Sequence, residues 1–282
     1  MDEEGALEMI ELPETHVLAE QIQQTLVGKT IQSAVANHHP HGFAWYFGDP
    51  AEYNEKLAGR TITGSAAYGG QPEIWAGETR VSFNDGVRAR YLAAGEKRPE
   101  KHQLLLEFTD GTGLSCSVQM YGGMFAFENG SRDDWYYTVA KEKPSPYTAA
   151  FDEAYFGALL GGVKQKMSVK AFLATEQRIP GFGNGVLQDT LFNARLHPKR
   201  KLETLTGTDT ETLFRSIKST LAEMLDGGGR DTERDLFGKA GGYRTVLSGK
   251  TLMYPCPVCG SGLKREAYLG GNIYFCPACQ PV

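Results

Sequence analysis

Apolar residues at Val17, Leu18, Ile22 and Leu26 recur at the three-to-four spacing of one helix face, and Pro13 sits in the first turn, where a missing N–H costs nothing. Beyond this helix the period drops to two. RVSF and VRARYL flank Asn84-Asp85-Gly86, and LLLEF and LSCSVQMY flank Thr109-Asp110-Gly111, so two β-hairpins are predicted in a β-rich half that runs to about residue 140. KEKPSPYT, with Pro144 and Pro146, reads as a linker. Helical spacing then returns. Ser168 starts a helix through Val169, Phe172 and Leu173, broken by Pro180, Gly181 and Gly183, and a second helix starts at Asn184 and buries Val186, Leu187, Leu191 and Ala194. Thr208 with Glu211 reads as a capping box ahead of Leu213, Phe214, Ile217, Leu221 and Leu225. The glycine-rich, charge-alternating stretch from 227 to 250 reads as a flexible loop. These shifts predict a β domain over 9–140, a linker over 141–151, a helical domain with its loop over 152–249 and a C-terminal module over 250–282.

Composition adds only exclusions. A chain of 282 residues, 41% hydrophobic and 22% charged, is that of an ordinary globular protein with a sizeable core. No run approaches the roughly 18 apolar residues of a membrane helix, and the opening MDEEGALE lacks the basic and apolar regions of a signal peptide, so a cytoplasmic address is expected. The net charge of -5 is unevenly placed: the first twenty residues hold seven acids and no Lys or Arg, leaving 27 acidic against 29 basic residues in the rest. Bulk charge therefore neither supports nor excludes a nucleic-acid partner.

The cysteines are more specific. Cys256 and Cys259 form one C-x2-C pair and Cys276 and Cys279 another, with 16 residues between the pairs, which is the spacing of a four-thiolate zinc site. Pro255, Pro257 and Gly260 supply turn residues around the first pair and Pro277 around the second, and KREAYLGGNIYF between them reads as a hairpin turning at Gly270-Gly271-Asn272. Two disulfides or a redox pair are the competing readings, favoured by secretion or a thioredoxin-like pattern. Four protein ligands leave no open position, so one structural zinc per chain is expected; Cys116, in an apolar run, reads as a buried strand residue.

The glycine turn that opens the helix at Asn184 leaves free backbone N–H groups at the positive end of a helix dipole, a natural phosphate site. Around it stand, in order, Met9-Ile10-Glu11-Leu12-Pro13-Glu14, Gln119-Met120-Tyr121-Gly122-Gly123, IPGFGNGVLQDTLFNARLHP at 179–198, and the four cysteines followed by Gln280. This order resembles the formamidopyrimidine-DNA glycosylase and endonuclease VIII family over nearly the whole chain.

The resemblance implies an α+β multi-domain fold: an N-terminal helix plus an antiparallel β-sandwich, a helix-two-turns-helix domain and a zinc-finger hairpin. It implies a protein that binds double-stranded DNA containing damaged bases or abasic sites, flips out the nucleotide and cuts the N-glycosidic bond; a monomer is the default expectation. Glu11 matches the carboxylate that directs water, with Glu14 in support, and Asn184 matches the phosphate-binding asparagine. Asp189 stands where a Glu is usual, Lys166 matches a DNA-contacting lysine, and Gln119, Met120 and Tyr121 resemble the wedge that fills the vacated gap. Without the resemblance, Met120 and Tyr121 read as core residues and Glu11 and Glu14 as a solvated helix start. The chain departs from the pattern twice. Ile10 occupies the position of the nucleophilic proline, so strand cleavage by a lyase step is expected to be weak or lost unless another amine acts; the family's strand lysine falls at Lys101 or His102. Gly271 occupies the position of a phosphate-gripping arginine, and Lys264 and Arg265 are the compensating cations. A glycosylase is the leading expectation, and a non-catalytic binder of damaged DNA the alternative.

Overall fold

The computed structural model describes residues 9–282, and MDEEGALE lies outside the described residues. The elements in chain order are α1 (Leu12–Thr25), β1 (Ile31–Ala36), β2 (Ala44–Tyr46), α2 (Tyr53–Leu57), β3 (Ile62–Tyr68), β4 (Gln71–Ala76), β5 (Thr79–Phe83), β6 (Val87–Leu92), β7 (Leu104–Phe108), β8 (Gly113–Val118) and β9 (Gly122–Glu128). The second half holds α3 (Trp135–Glu142), α4 (Glu153–Gly161), α5 (Val169–Ala174), α6 (Asn184–Asn193), α7 (Gly207–Asp226), β10 (Lys264–Tyr268) and β11 (Gly271–Phe275).

Two sheets, ordered β2-β9-β5-β4-β3 and β1-β7-β8-β6, share one core in which Ile74, Val81, Phe83 and Met124 of the first meet Ile31, Leu106, Leu114 and Cys116 of the second. The α+β sandwich expected from the sequence is present. The Thr109-Asp110-Gly111 hairpin forms as β7–β8, with Gly111 at φ 79. The Asn84-Asp85-Gly86 pair does not form a hairpin. Its turn is there, with Asp85 at φ 52, but β5 pairs with β4 and β9 while β6 pairs with β8 in the opposite sheet. A tight turn dictates a reversal of direction; which neighbour each strand finds is set by burial of its apolar face.

Helix α1 joins the halves. Leu18, Ile22 and Leu26 enter the sandwich core, whereas Leu12 enters the second core with Phe172, Val186, Leu187, Leu213, Ile217 and Leu221. Ser168 caps α5 by accepting from Ala171 N, as its position predicts. The cap of α7 falls two residues before the predicted one: Thr206, on extended backbone, exchanges hydrogen bonds with Asp209, so Thr208 and Glu211 lie inside the helix. The C-terminal hairpin turns at Leu269-Gly270, both at positive φ, one position earlier than expected, and pairs Tyr268 with Gly271.

Two glycine turns cross between the halves. Gly181 N–H and carbonyl groups lie in the loop before α6; its carbonyl accepts from Leu12 N at 2.9 Å, and a Cβ on it would lie 2.3 Å from the Gly69 carbonyl carbon. With φ at +75 as well, the position admits no side chain without displacing one half from the other. Gly181→Ala is therefore expected to destabilise the chain by more than ~1 kcal/mol in a denaturant melt. A change within error would show the crossing to be loose.

Candidate functional site

The site is built around carboxylates held out of water. Glu11 is the N-cap of α1, and its side chain reaches the start of α6, where Oε1 accepts from Gly185 N and Oε2 from Val186 N, both at 2.8 Å. Two backbone donors at a positive helix end hold a carboxylate well. The alternating glycines of the GFGNG turn make room for it. A Cβ at Gly183 would lie 2.4 Å from the Glu11 carboxyl carbon, and one at Gly185 would lie 1.6 Å from Arg230 Nη1.

Arg230 completes the cluster from the glycine-rich stretch. Its Nε and Nη2 donate to the two oxygens of Glu14 at 3.0 and 2.7 Å, a bidentate pair; its Nη1 lies 3.5 Å from Glu11 Oε2, and its Nη2 lies 3.7 Å from Glu233 Oε1. The side chain of each partner is at most 9% exposed. Glu11 and Glu14, which read from composition as a solvated helix start, are thus buried. The 227–250 stretch, expected to be flexible, is anchored by residue 230 and by Asp189, whose carboxylate accepts from Val246 N, Leu247 N and the Tyr243 hydroxyl. Burial pushes Asp189 up to about 6 against those three donors.

Sequence reasoning missed Arg230 and Glu233, because charges among glycines look like a solvated loop. One guanidinium faces three carboxylates, so the cluster cannot hold all three charges cheaply. Burial raises Glu11, opposed by Arg230 and the two amides. Burial also pushes Glu233 up to about 7, although Arg230 pulls the other way; its Oε2 accepts from Met9 N at 2.7 Å.

Ile10 is half-buried against the sandwich core, and its backbone N–H donates to the Asp85 carbonyl at 2.8 Å. Beside it runs the Gly69-Gly70 turn: a Cβ on Gly70 would lie 3.3 Å from the Ile10 carbonyl oxygen. Gln71 follows, buried, with its Oε1 lacking a hydrogen-bond partner. Lys101 and His102 sit elsewhere, along the segment after β1. His102 stacks on His38 at 4.8 Å and its carbonyl accepts from His39 N, while Lys101 is exposed. The turn that reaches the Ile10 backbone thus carries Gln71 rather than a lysine.

The wedge residues form a turn between β8 and β9. Gln119 N donates to the Gly86 carbonyl and Gly86 N to the Tyr121 carbonyl, at 2.8 and 2.9 Å. Gln119 and Met120 are exposed and Tyr121 is half-buried, so the core reading fails for Met120. Burial raises the Tyr121 hydroxyl, and the charges of Asp85 and Glu11 raise it further.

The hairpin packs on the helices. Asn184 Nδ2 donates to the Asn272 carbonyl at 2.9 Å, leaving Asn184 Oδ1 buried and unpaired. Lys170, which the sequence reading passed over, is buried and donates to the Tyr268 carbonyl at 2.8 Å, and its Nζ would lie 3.7 Å from a Cβ on Gly271. A cation therefore borders the position where an arginine was missed. Lys166, Lys264 and Arg265 are exposed, the first ahead of α5 and the others on β10. The four sulfurs of Cys256, Cys259, Cys276 and Cys279 lie within 4.8 Å of one another, with Cys256–Cys279 at 3.8 Å and Cys259–Cys276 at 3.4 Å. Disulfide sulfurs stand ~2.05 Å apart and thiolates around a tetrahedral zinc ~3.8 Å apart, so the cluster fits a metal ion and not two disulfides. Buried Gln280 ties it to the helices, accepting from Cys276 N and donating to the Leu196 carbonyl. Cys116 is buried, its thiol pushed up to about 12 by burial.

The carboxylate cluster carries a pH signature. Unfolded, the Glu233 carboxyl titrates near 4.5; folded, near 7. The folded chain thus binds the proton more tightly, and this contribution to stability is complete below about pH 4.5 and lost as pH rises through about 7. Thermal melts are expected to show a midpoint falling from pH 5 to pH 8, with a shallower fall in Glu233→Gln. Equal slopes would remove Glu233 from the cluster's proton balance.

Residues 9–117 match the formamidopyrimidine-DNA glycosylase N-terminal domain, and residues 143–235 match the formamidopyrimidine-DNA glycosylase H2TH domain. A formamidopyrimidine-DNA glycosylase of Bacillus cereus is 27% identical over 97% of this chain and 99% of its own. The MutM (Fpg) protein of Thermus thermophilus superposes with a TM-score of 0.79 at 23% identity, covering 96% of this chain and 98% of that one. The Lactococcus lactis Fpg in complex with abasic-site DNA superposes at 0.82 with 22% identity, covering 96% and 100%. With two matched domains in the right order over more than two thirds of its length, the chain belongs to the formamidopyrimidine-DNA glycosylase family.

Proposed function

We propose that this chain is a DNA repair glycosylase: it binds DNA containing a damaged base or an abasic site, extrudes the nucleotide and hydrolyses the N-glycosidic bond. The observation that carries this reading is the placement of Glu11 between the start of α6, whose two backbone N–H groups hold its carboxylate, and the residue-10 position that precedes it. Extrusion costs a few kcal/mol in lost stacking, which Met120 and Tyr121 offset by filling the gap, while Gln119 pairs with the orphaned base. The sugar then develops positive charge as its bond to the base breaks. A carboxylate fixed by two backbone donors stabilises that charge without reorganising, and each oxygen keeps a lone pair with which to orient and deprotonate water. Glu14 supports it by holding Arg230. Asn184, Lys166, Lys264 and Arg265 hold the phosphates, and the four cysteines hold one structural zinc, which fixes the hairpin and takes no part in the chemistry. The cytoplasmic address expected from the sequence goes with this reading. A lyase step through residue 10 does not, because its nitrogen is an amide already donating to Asp85. Neither Lys101 nor His102 is given a nucleophile's role.

Glu11→Gln is expected to lower base release from an oxidised-base duplex by about 10²–10⁴-fold with its melting curve retained, and borohydride is expected to trap no covalent adduct. An unchanged rate overturns the role of Glu11, an adduct overturns the water-directed route, and lesion-dependent binding without any product shows a binder in place of an enzyme. Removal of the metal by a strong chelator is expected to release one zinc per chain and to weaken DNA binding; a chain that binds DNA equally well without it would detach the hairpin from the interface.

A further inference from the structure

A second feature borders the wedge turn and is not used by it. Strand β2 is the edge of its sheet and runs parallel to β9, with Ala44 opposite Gly122 and Trp45 opposite Gly123. Ala44 and Tyr46 pack toward the core, so the alternation turns Phe43 and Trp45 outward. Phe43 is 63% exposed and Trp45 47%. Both are locked to the wedge: Gly122 N donates to the Phe43 carbonyl at 3.0 Å, and the Trp45 ring stands 6.0 Å from the Tyr121 ring. Phe43 and Trp45, with the half-buried Tyr121 and the exposed Met120 of the adjoining turn, thus make an exposed apolar surface, a ridge along the β2 edge. No core requirement explains it, because the strand's inward residues already fill their places.

The residues leading into the ridge bring imidazole rings and one lysine beside it. His38, His39 and His41 precede it, the His41 ring lies 6.4 Å from Phe43, and exposed Lys101 is next to His102, on which His38 stacks. Aromatic faces set among cations bind unpaired nucleobases: any base offers a π-face, and its phosphate takes the cation. A paired duplex buries those faces and offers the ridge nothing to stack on.

We propose that Phe43 and Trp45 form a stacking platform for unpaired bases of the DNA strand beside the lesion, continuing the wedge and making the protein favour lesions in single-stranded or bubble DNA over fully paired DNA. This rests on the glycosylase reading. It assigns to β2 a substrate preference that the carboxylate site alone does not carry.

The test uses the full chain and a stable abasic-site analogue placed in three oligonucleotides: single-stranded, in a bubble and fully paired. Trp45→Ala and Phe43→Ala are expected to lose about tenfold in affinity for the first two, the order of one base stack, with a smaller loss on the duplex. Trp45→Phe, which keeps a ring, is expected to retain affinity while losing the quenching of tryptophan emission that accompanies binding by the parent chain. Melting curves verify that the variants fold. Equal losses on all three DNAs, or quenching unchanged in Trp45→Phe, overturns the platform. Concentration-dependent dimerisation abolished by the alanine variants also overturns it, by making a second copy of the chain the occupant. A parent chain that binds none of the three DNAs fails earlier, at the glycosylase reading itself.

Discussion

The site depends on a buried guanidinium shared among carboxylates. Arg230 holds Glu14 through two hydrogen bonds and faces Glu11 and Glu233, and these four residues come from the chain's first helix and a stretch more than two hundred residues later. A buried charge without a partner is among the costliest things a protein can contain, so each member requires the others to be in place. The cluster fastens the glycine-rich stretch to α1 and keeps the Glu11 carboxylate directed at the amides of α6. Ile10 itself offers only a backbone amide, bonded to Asp85, and the group that follows it is a buried carboxylate in a polar frame.

Glycine spacing lets this frame close. The loop before α6 brings backbone against Gly69, then against the Glu11 side chain, then against Arg230, at alternate residues. No other residue type permits three such approaches in five positions. The same loop begins the helix whose first side chain, Asn184, touches the metal-site hairpin. One short segment thus sets the distance between the carboxylates and the hairpin.

What was legible beforehand was what is local. The four cysteines announce their site by spacing, the helices around Ser168 and Asn184 by caps and period, and the order of motifs by itself indicated the family and the sandwich. What was not legible depends on distant partners. The turn at 84–86 has every local mark of a hairpin, yet its strands enter opposite sheets because each finds a different apolar neighbour. Arg230 and Glu233 sit among glycines, and only the return of that stretch to α1 reveals that they are buried. Helix α3 escaped notice because its first residues, Trp135 and Tyr136, are exposed and give no inward stripe. Gln71 gave no signal at all, since a lone glutamine opening a strand is unremarkable until its orphaned oxygen is seen beside the Gly69-Gly70 turn.

The turn at 84–86 has a mechanical meaning. Asp85 receives the Ile10 N–H, Gly86 is bonded in both directions to the wedge, and the flanking strands belong to separate sheets. A force applied to the tip at Met120 is thus transmitted through two peptide groups to the residue preceding Glu11, along a path too short to absorb it. A shift of the 119–121 tip and a shift of the residue-10 backbone are thereby coupled through Asp85 and Gly86.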